Sequence, residues 1–367
     1  MKALILVGGQ GTRLLPLTCK TPKAMVPILN RPFLEHLLAY LKRHGINEVI
    51  LALGYLPDPI QRGLADGDRH GIKLIYSVET TPLGTAGAVK YAEKYLNDEP
   101  FFVFNGDVIT EIDLTEMLAK HRQIKPEVSI ALTPVDNPSA YGVVETDEKG
   151  MIKRFIEKPP RGTEPSNMIN AGIYILEPEV LDMIPENKFF MFETDVFPPL
   201  LKQDRKILGY SSNAYWIDIG TPGKYLKVQY DLLNKNGKNI IIQGKCKIHQ
   251  EARIEGPVLI GPGCKIEKSL IIGPTVLGAG CTVGNNVKIE KSILWPGNAV
   301  ASEAVLKECI IDSNCTIGEK CEIFEESVIG DNVTLGSGSR VSPGSRIWPD
   351  QTIPPRSTLS GNVGKPT

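Results

Sequence analysis

The sequence predicts an α/β Rossmann-like domain followed by a left-handed parallel β-helix, on three observations. Short apolar runs alternate with helical patterns from Met1 to about Asn234, the signature of helices layered on a mostly parallel sheet. Beyond a polar junction, Asn234-Lys235-Asn236-Gly237-Lys238, helical periodicity stops and aliphatic residues recur every six positions. Glycine often follows the aliphatic residue, as at Gly261, Gly273, Gly278, Gly284, Gly318, Gly330 and Gly336. Hexapeptide repeats of this kind stack into a coil of three short faces, about 18 residues per turn. The predicted organisation is a first domain over 1–234, a linker over 235–243 and a β-helix over 244–367.

In the first domain, Ala3 to Val7 reads as a strand that runs into Gly8-Gly9. Leu34, Leu37, Leu38 and Leu41 recur at helical spacing, Val49 to Leu53 and Lys73 to Val78 are strands, and Ala86 to Leu96 is helical. Phe101 to Phe104 is a buried strand leading into Asn105-Gly106-Asp107. Ligands of such sheets bind beyond the carboxyl ends of the strands, where Gly8 and Asp107 both lie.

In the second domain the repeat aliphatics are Ile248, Ile254, Ile260, Ile266 and Ile272, then Leu277, Val283 and Ile289, then Val305, Ile311, Ile317, Ile323, Ile329, Leu335, Val341 and Ile347. The register slips between Ile272 and Leu277 and between Ile289 and Val305, where loops or corner adjustments are expected. Cys246, Cys264, Cys281, Cys309, Cys315 and Cys321 each stand two residues before a repeat aliphatic, so alternation turns them inward beside it. Ala252, Val258, Ser327, Val333, Ser339 and Ser345 hold equivalent places. The cysteines therefore read as fillers of a small-residue slot, not as metal or redox groups.

Composition bounds the function. With 41 basic and 42 acidic residues, no electrostatic footprint for nucleic acid or an anionic membrane exists, and any bound anion must be held locally. The apolar run before Gly8 is too short for a signal peptide or a membrane span, which predicts a cytoplasmic protein.

The strongest chemical signal is Gly8-Gly9-Gln10-Gly11-Thr12-Arg13-Leu14, followed by Pro16-Leu17-Thr18 and Thr21-Pro22-Lys23. Glycines directly after a buried strand let backbone N–H groups approach phosphate oxygens, and Arg13 and Lys23 supply neutralising charge. A P-loop would end in Gly-Lys-Ser/Thr, and a dinucleotide fingerprint would carry a third glycine at position 14; neither is present.

Taken whole, GGQGTRLLPLTCKTPK resembles the signature of the sugar nucleotidyltransferase (nucleotide-sugar pyrophosphorylase) family, and further matches follow in the family's order. Leu83-Gly84-Thr85-Ala86 resembles its base-reading loop, Asn105-Gly106-Asp107 its first metal aspartate and Tyr141-Gly142-Val143 its sugar-contacting turn. Glu157-Lys158-Pro159 resembles the segment touching sugar hydroxyls and phosphate, Asn170-Ala171-Gly172 a second sugar contact, and Trp216-Ile217-Asp218-Ile219-Gly220-Thr221 the second metal aspartate. The resemblance implies nucleotide contacts at Leu6, Gly8, Gly9, Gly11, Thr12, Arg13, Glu79, Gly84 and Thr85, and sugar-phosphate contacts at Gly142, Glu157, Lys158 and Asn170. It implies catalytic roles for Arg13, Lys23, Asp107 and Asp218, with Mg²⁺ on the two aspartates. The appended coil narrows the likeness to the mannose-1-phosphate guanylyltransferases and similar uridylyl, thymidylyl or adenylyl enzymes.

These residue types suit the chemistry. The second pKa of a sugar 1-phosphate is about 6, so its oxygen is already a nucleophile at neutral pH and needs no general base. In-line positioning and charge neutralisation are what remain. Mg²⁺ keeps waters and takes only one or two protein carboxylates besides phosphate oxygens. The family reads the base partly with a residue five positions before the glycine of the Leu-Gly-Thr-Ala loop, usually glutamine in the uridylyl, thymidylyl and adenylyl relatives; here it is Glu79. A carboxylate only accepts, which suits the N1–H and N2–H₂ donors of guanine and opposes the carbonyls of uracil or thymine. GTP is therefore the favoured nucleoside triphosphate. Mannose 1-phosphate is favoured over glucose 1-phosphate by the resemblance alone.

Three rival readings stay open at this point. One is a glucose-1-phosphate uridylyl- or thymidylyltransferase. Another is a catalytically silent regulatory relative, against which the retained Arg13, Lys23, Asp107 and Asp218 argue. The third is a coil-borne acyltransferase using histidine as base, for which His249 is the one histidine in the repeat region. The coil is expected to serve assembly into a homo-oligomer. Its removal would then disturb assembly more than chemistry, since every chemical motif precedes Asn234.

Overall fold

The computed structural model describes residues 1–96 and 99–365; the last two residues of the expected β-helix domain lie outside them. The chain forms two compact units, and their boundary falls inside the signature motif. Unit one comprises Met1–Gln10 and Leu34–Asp218, whereas Gly11–Phe33 belongs with the chain from Ile219 onward.

Unit one is built on a nine-stranded sheet. Its centre is the strand Lys2–Val7, parallel to Glu48–Leu53 on one side and Phe101–Asn105 on the other, with Lys73–Val78 beyond Glu48–Leu53. Past Phe101–Asn105 the sheet turns antiparallel through Met168–Leu176, which also pairs Val128–Pro134. The sheet is therefore mixed. Ala3, Leu4, Ile5, Ile50 and Val103 are fully buried, which explains the continuous apolar runs of strands covered on both faces. Helix Gly84–Tyr91, the π-turn Phe192–Val196 and the helix Phe197–Lys202 close the same core, where the rings of Tyr174, Phe192 and Phe197 all contact one another.

Unit two contains the coil. Its strands fall into three parallel sheets, of eight, seven and seven strands. Pairings such as Lys247↔Lys265 and Lys265↔Thr282 place each strand on the one a coil later. This is a left-handed β-helix. It begins within the segment expected as linker, because Ile240–Ile242 forms the first strand of the eight-stranded sheet.

The interior ladder corrects the expected register. Its members are Ile266, Ile271, Leu277, Val283, Ile289, Leu294, Val300, Leu306, Ile311 and onward to Ile353. Ile272 and Val305, expected inside, are only half-buried, whereas their neighbours Ile271 and Leu306 are fully buried. The expected break between Ile289 and Val305 is continuous coil, carried by Ile293–Leu294 and Ala299–Val300. A rung shortened from six residues to five keeps the strand ladder and moves the inward position by one.

The cysteine slot is as expected, and it carries a bond. The thiols of Cys264, Cys281, Cys315 and Cys321 donate to the carbonyls of Gly278, Trp295, Gly330 and Gly336 at 3.1 to 3.3 Å. Ser327 and Ser339 donate likewise to Ser342 and Pro354. No helix of the described residues is long and apolar enough to cross a membrane.

Candidate active site

The carboxyl edge of the unit-one sheet gathers most of the predicted residues. Gly8 follows the central strand, and Gly106 N–H donates to Leu6 O at 2.9 Å. A Cβ on Gly106 would meet Leu6 O at 2.4 Å, so only glycine lets the Asn105–Asp107 turn lie against the first strand. Asp107 follows two residues after Asn105, which pairs with Leu6 of the first strand. Strand Trp216–Asp218 pairs antiparallel with Val108–Thr110, placing Asp218 opposite Val108. Asp107 directly precedes Val108, so this pairing brings the two aspartates, far apart in sequence, to the same end of the ladder.

Tyr141, which sequence reasoning passed over as a site residue, sets Asp218. Its hydroxyl donates to Asp218 Oδ1 at 2.8 Å, and its ring meets Trp216 edge-on at 5.7 Å. Trp216 is itself fixed by an indole bond to Ala171 O at 2.9 Å. The available signal was the tyrosine directly before the sugar-contacting glycine. Gly142 pairs with Glu157 across the strands, where a Cβ would come within 2.9 Å of Glu157 Oε2. Lys158 lies 3.1 Å from Glu157 and accepts a left-handed backbone with φ 46°.

A buried network joins the base loop to the second sugar contact. The Thr85 hydroxyl donates to Glu193 Oε2 at 2.9 Å and accepts from Phe192 N–H at 2.9 Å. Tyr174 OH reaches Glu193 Oε1 at 3.4 Å, and Asn170 Nδ2 donates to Tyr174 OH at 2.8 Å. Burial pushes the Glu193 carboxyl above its ordinary range. Glu193 and Tyr174 were not read from the sequence as linking these loops, because they belong to no signature motif.

Glu79 stands at the end of its strand, with its N–H donating to Leu53 O at 2.9 Å. Its Oε1 is 3.0 Å from where a Cβ on Gly8 would lie and 2.8 Å from one on Gly54. Both glycines are thus needed to admit the carboxylate beside the glycine turn. Its Oε2 is buried without a hydrogen-bond partner. Burial raises the Glu79 pKa, opposed by the backbone N–H of Leu83. An unpartnered buried carboxylate oxygen is costly unless a ligand donor completes it.

Gly11, Thr12, Arg13 and Lys23 belong to unit two. Gly11 has φ 65° and precedes the 3₁₀ turn Thr12–Leu14, on which Thr12 and Arg13 are exposed; Lys23 opens a second such turn, Lys23–Met25. A Cβ on Gly11 would lie 3.1 Å from both Lys23 Cβ and Thr18 Cγ2. His249 is exposed on the first coil, where its Nδ1 accepts from Glu251 N–H.

A family model described as "Nucleotidyl transferase" matches residues 2–235. The chain belongs to that family. A second model, "EIF2B subunit epsilon LbH domain", matches residues 237–341. The probable mannose-1-phosphate guanylyltransferase 3 of Oryza sativa subsp. japonica is 42% identical over 285 residues, 74% of this chain and 78% of the relative. The mannose-1-phosphate guanylyltransferase of Mycobacterium tuberculosis is 36% identical, over 73% and 79% of the two chains. The crystal structure of HddC from Yersinia pseudotuberculosis aligns with TM-score 0.56 and 34% identity, over 63% of this chain and 99% of that one. HddC complexed with GMP-PN aligns with TM-score 0.55 and 33% identity over the same shares. The protein is thus an enzyme, a nucleotidyltransferase of nucleotide-sugar synthesis with an appended left-handed β-helix. Nucleotidyltransferases of this family generally use a divalent metal. Among the described residues no three Asp, Glu, His or Cys side chains converge on a metal site. The Asp107 and Asp218 pair fits a hard cation that takes its other ligands from water and phosphate.

Proposed function

We propose that the enzyme transfers the guanylyl group of GTP to mannose 1-phosphate in the cytoplasm, forming GDP-mannose and pyrophosphate. One observation carries the choice of base: the half-buried Glu79 carboxylate beside Gly8 and Gly54, with an oxygen that has no partner. Guanine offers N1–H and N2–H₂ side by side, and charge-assisted bonds to them would offset the cost of burying Glu79. The names of the relatives and the GMP-PN complex of HddC support the same reading.

In this reading the sugar-phosphate oxygen attacks the α-phosphorus of GTP. A new phosphorus–oxygen bond forms as the bond to the bridging oxygen breaks, and its electron pair leaves with pyrophosphate. Leu6, Gly8, Gly9, Gly11 and Thr12 line the nucleotide, Arg13 and Lys23 neutralise its phosphates, and Gly84 and Thr85 border the base. Thr85 contributes through backbone and shape, since its hydroxyl is engaged with Glu193. Lys158 holds the sugar phosphate, while Gly142, Glu157 and Asn170 meet the sugar. Mg²⁺ on Asp107 and Asp218 would neutralise charge on the α-phosphate and the departing pyrophosphate. The β-helix is proposed to mediate self-association as well, its first strand exposing Ile240 and Ile242 at a sheet edge.

The test is pyrophosphate release over a grid of four nucleoside triphosphates against mannose and glucose 1-phosphates. GTP with mannose 1-phosphate should give the highest kcat/KM. A preference for UTP or dTTP would remove the guanine assignment and leave the reaction class intact.

A further inference from the structure

Lys20 stands in the signature segment between Arg13 and Lys23, yet its ammonium is turned onto the coil. Nζ lies 3.0 Å from Asp331 Oδ2 and 2.9 Å from Asp350 Oδ1. The two aspartates occupy successive coils, and Asp350 N–H donates to Asp331 O at 3.0 Å. Asn314 and Asn332 amides donate to Asp331 and Asp350, at 3.4 and 2.9 Å, and orient the carboxylates. Like charges on adjacent rungs repel, and a cation bridging them reverses that term.

Before Val26 the segment is held by short turns and by the burial of Leu14, Leu17, Thr18 and Ala24. Between Gly11 and Val26 it forms two 3₁₀ turns and no strand or α-helix. Its later end is pinned within unit two. Leu29 N–H donates to Gln229 Oε1 at 2.8 Å, and Tyr225 OH and Gln229 Nε2 donate to Pro27 O. Asn30 Nδ2 donates to Leu277 O on the coil, and Trp295 of the coil donates to Tyr225 OH at 2.8 Å. At the earlier end the Thr18 hydroxyl donates to Gly11 O at 2.9 Å, and Gly11, Thr18 and Lys23 are packed against one another. Lys20 lies two residues after Thr18 and three before Lys23, so a restraint on Lys20 is passed to the two turns that present Arg13 and Lys23.

We propose that Lys20, Asp331 and Asp350 form a positioning clamp through which the β-helix sets the phosphate-binding segment for nucleotidyl transfer. This rests on the reading of Arg13 and Lys23 as ligands of the triphosphate. The Lys20 side chain is half exposed, and such pairs add little to global stability. Its effect is therefore on the geometry of the segment and shows in kinetics more than in the thermal midpoint.

The experiment compares full-length Lys20→Met, Asp331→Asn with Asp350→Asn, all three changes together, and Lys20→Arg. Steady-state kinetics with GTP and amide exchange over residues 11–26 are read on each folded protein. The first two variants should lose roughly 3- to 10-fold in kcat/KM for the triphosphate, with faster exchange in the segment. The triple variant should be no worse than either, and Lys20→Arg should recover most of the loss. Losses that multiply in the triple variant, or unchanged triphosphate kinetics in Lys20→Met, overturn the clamp. Lys23→Met measured alongside separates the two readings. If it also leaves triphosphate kinetics unchanged, the phosphate assignment of the segment falls, and the catalytic role of the clamp with it.

Discussion

At the scale of single residues the proposed chemistry rests on three carboxylates with different surroundings. Glu79 is half-buried, next to two glycines whose missing Cβ atoms make its space. Changing Glu79→Gln keeps length but turns one acceptor into an NH₂ donor facing the donors of guanine. The loss of a charged bond plus an unsatisfied partner costs on the order of 1.5–3 kcal/mol, or roughly 10- to 150-fold in kcat/KM for GTP. Use of UTP should rise or hold. Competition of GTP with UTP at fixed sugar phosphate measures this, and an unchanged ratio defeats the assignment. Asp107→Asn and Asp218→Asn should each lower turnover by at least ~10²-fold, the scale of a lost electrostatic stabiliser. Near-normal kcat in either folded variant would exclude that residue from the metal role. Tyr141→Phe offers no comparable test of identity, since it removes only the bond that orients Asp218.

At the scale of elements, the β-helix shows how a repeat reads well in period and poorly in phase. Leu306 is fully inside, while Val305 is half-buried, because the step from Leu306 to Ile311 has five residues instead of six. Leu306→Ala should therefore cost ~2–5 kcal/mol, and Val305→Ala well under that; urea unfolding of the two variants checks the order. Asp312 gives a pH signature in the same coil. Burial pushes its carboxyl up to about 7, opposed by the Ser313 N–H and by Lys20 and reinforced by Asp331. A folded pKa raised above the unfolded value near ~3.9 means that the native state holds a proton the unfolded chain has released. This group's contribution to stability is present at low pH and is lost as pH rises toward and through about 7. Asp312→Asn keeps an acceptor for Ser313 and removes the titration. The thermal midpoint of the variant relative to wild type should climb between about pH 4 and about pH 7 and then level off. A constant difference would show that the carboxyl does not titrate there.

At the scale of the molecule, the coil is tied to the proposed chemistry as well as to its expected part in assembly. The segment Gly11–Phe33, which carries Arg13 and Lys23, is part of the same compact unit as the coil. Leu277, Trp295, Asp331 and Asp350 each take part in holding it. Ending the chain after Gln243 removes all four. Such a fragment, if it stays soluble, should lose ~10²-fold or more in turnover, the scale of a displaced catalytic group. Wild-type turnover in the fragment would show that the segment holds its shape without the coil.

The fold class, the first strands of the first domain and the hexapeptide coil were all legible in the sequence. Each follows from local rules: apolar runs of strand length, a six-residue period and glycines after a buried strand. The motifs that carry Gly8, Asp107, Gly142, Lys158 and Asp218, the residues proposed for the site, could be read for the same reason, since each motif is a run of neighbouring residues. What only the tertiary structure decided depends on groups far apart along the chain. The pairing of Asp218 with Val108 next to Asp107, the Tyr141 bond, the Glu193 network and the attachment of Lys20 to Asp331 and Asp350 leave no local period to read. The phase of the coil was hidden too, because adjacent aliphatic residues such as Ile271 and Ile272 are equally apolar, and closure of the whole turn selects the one that points inward.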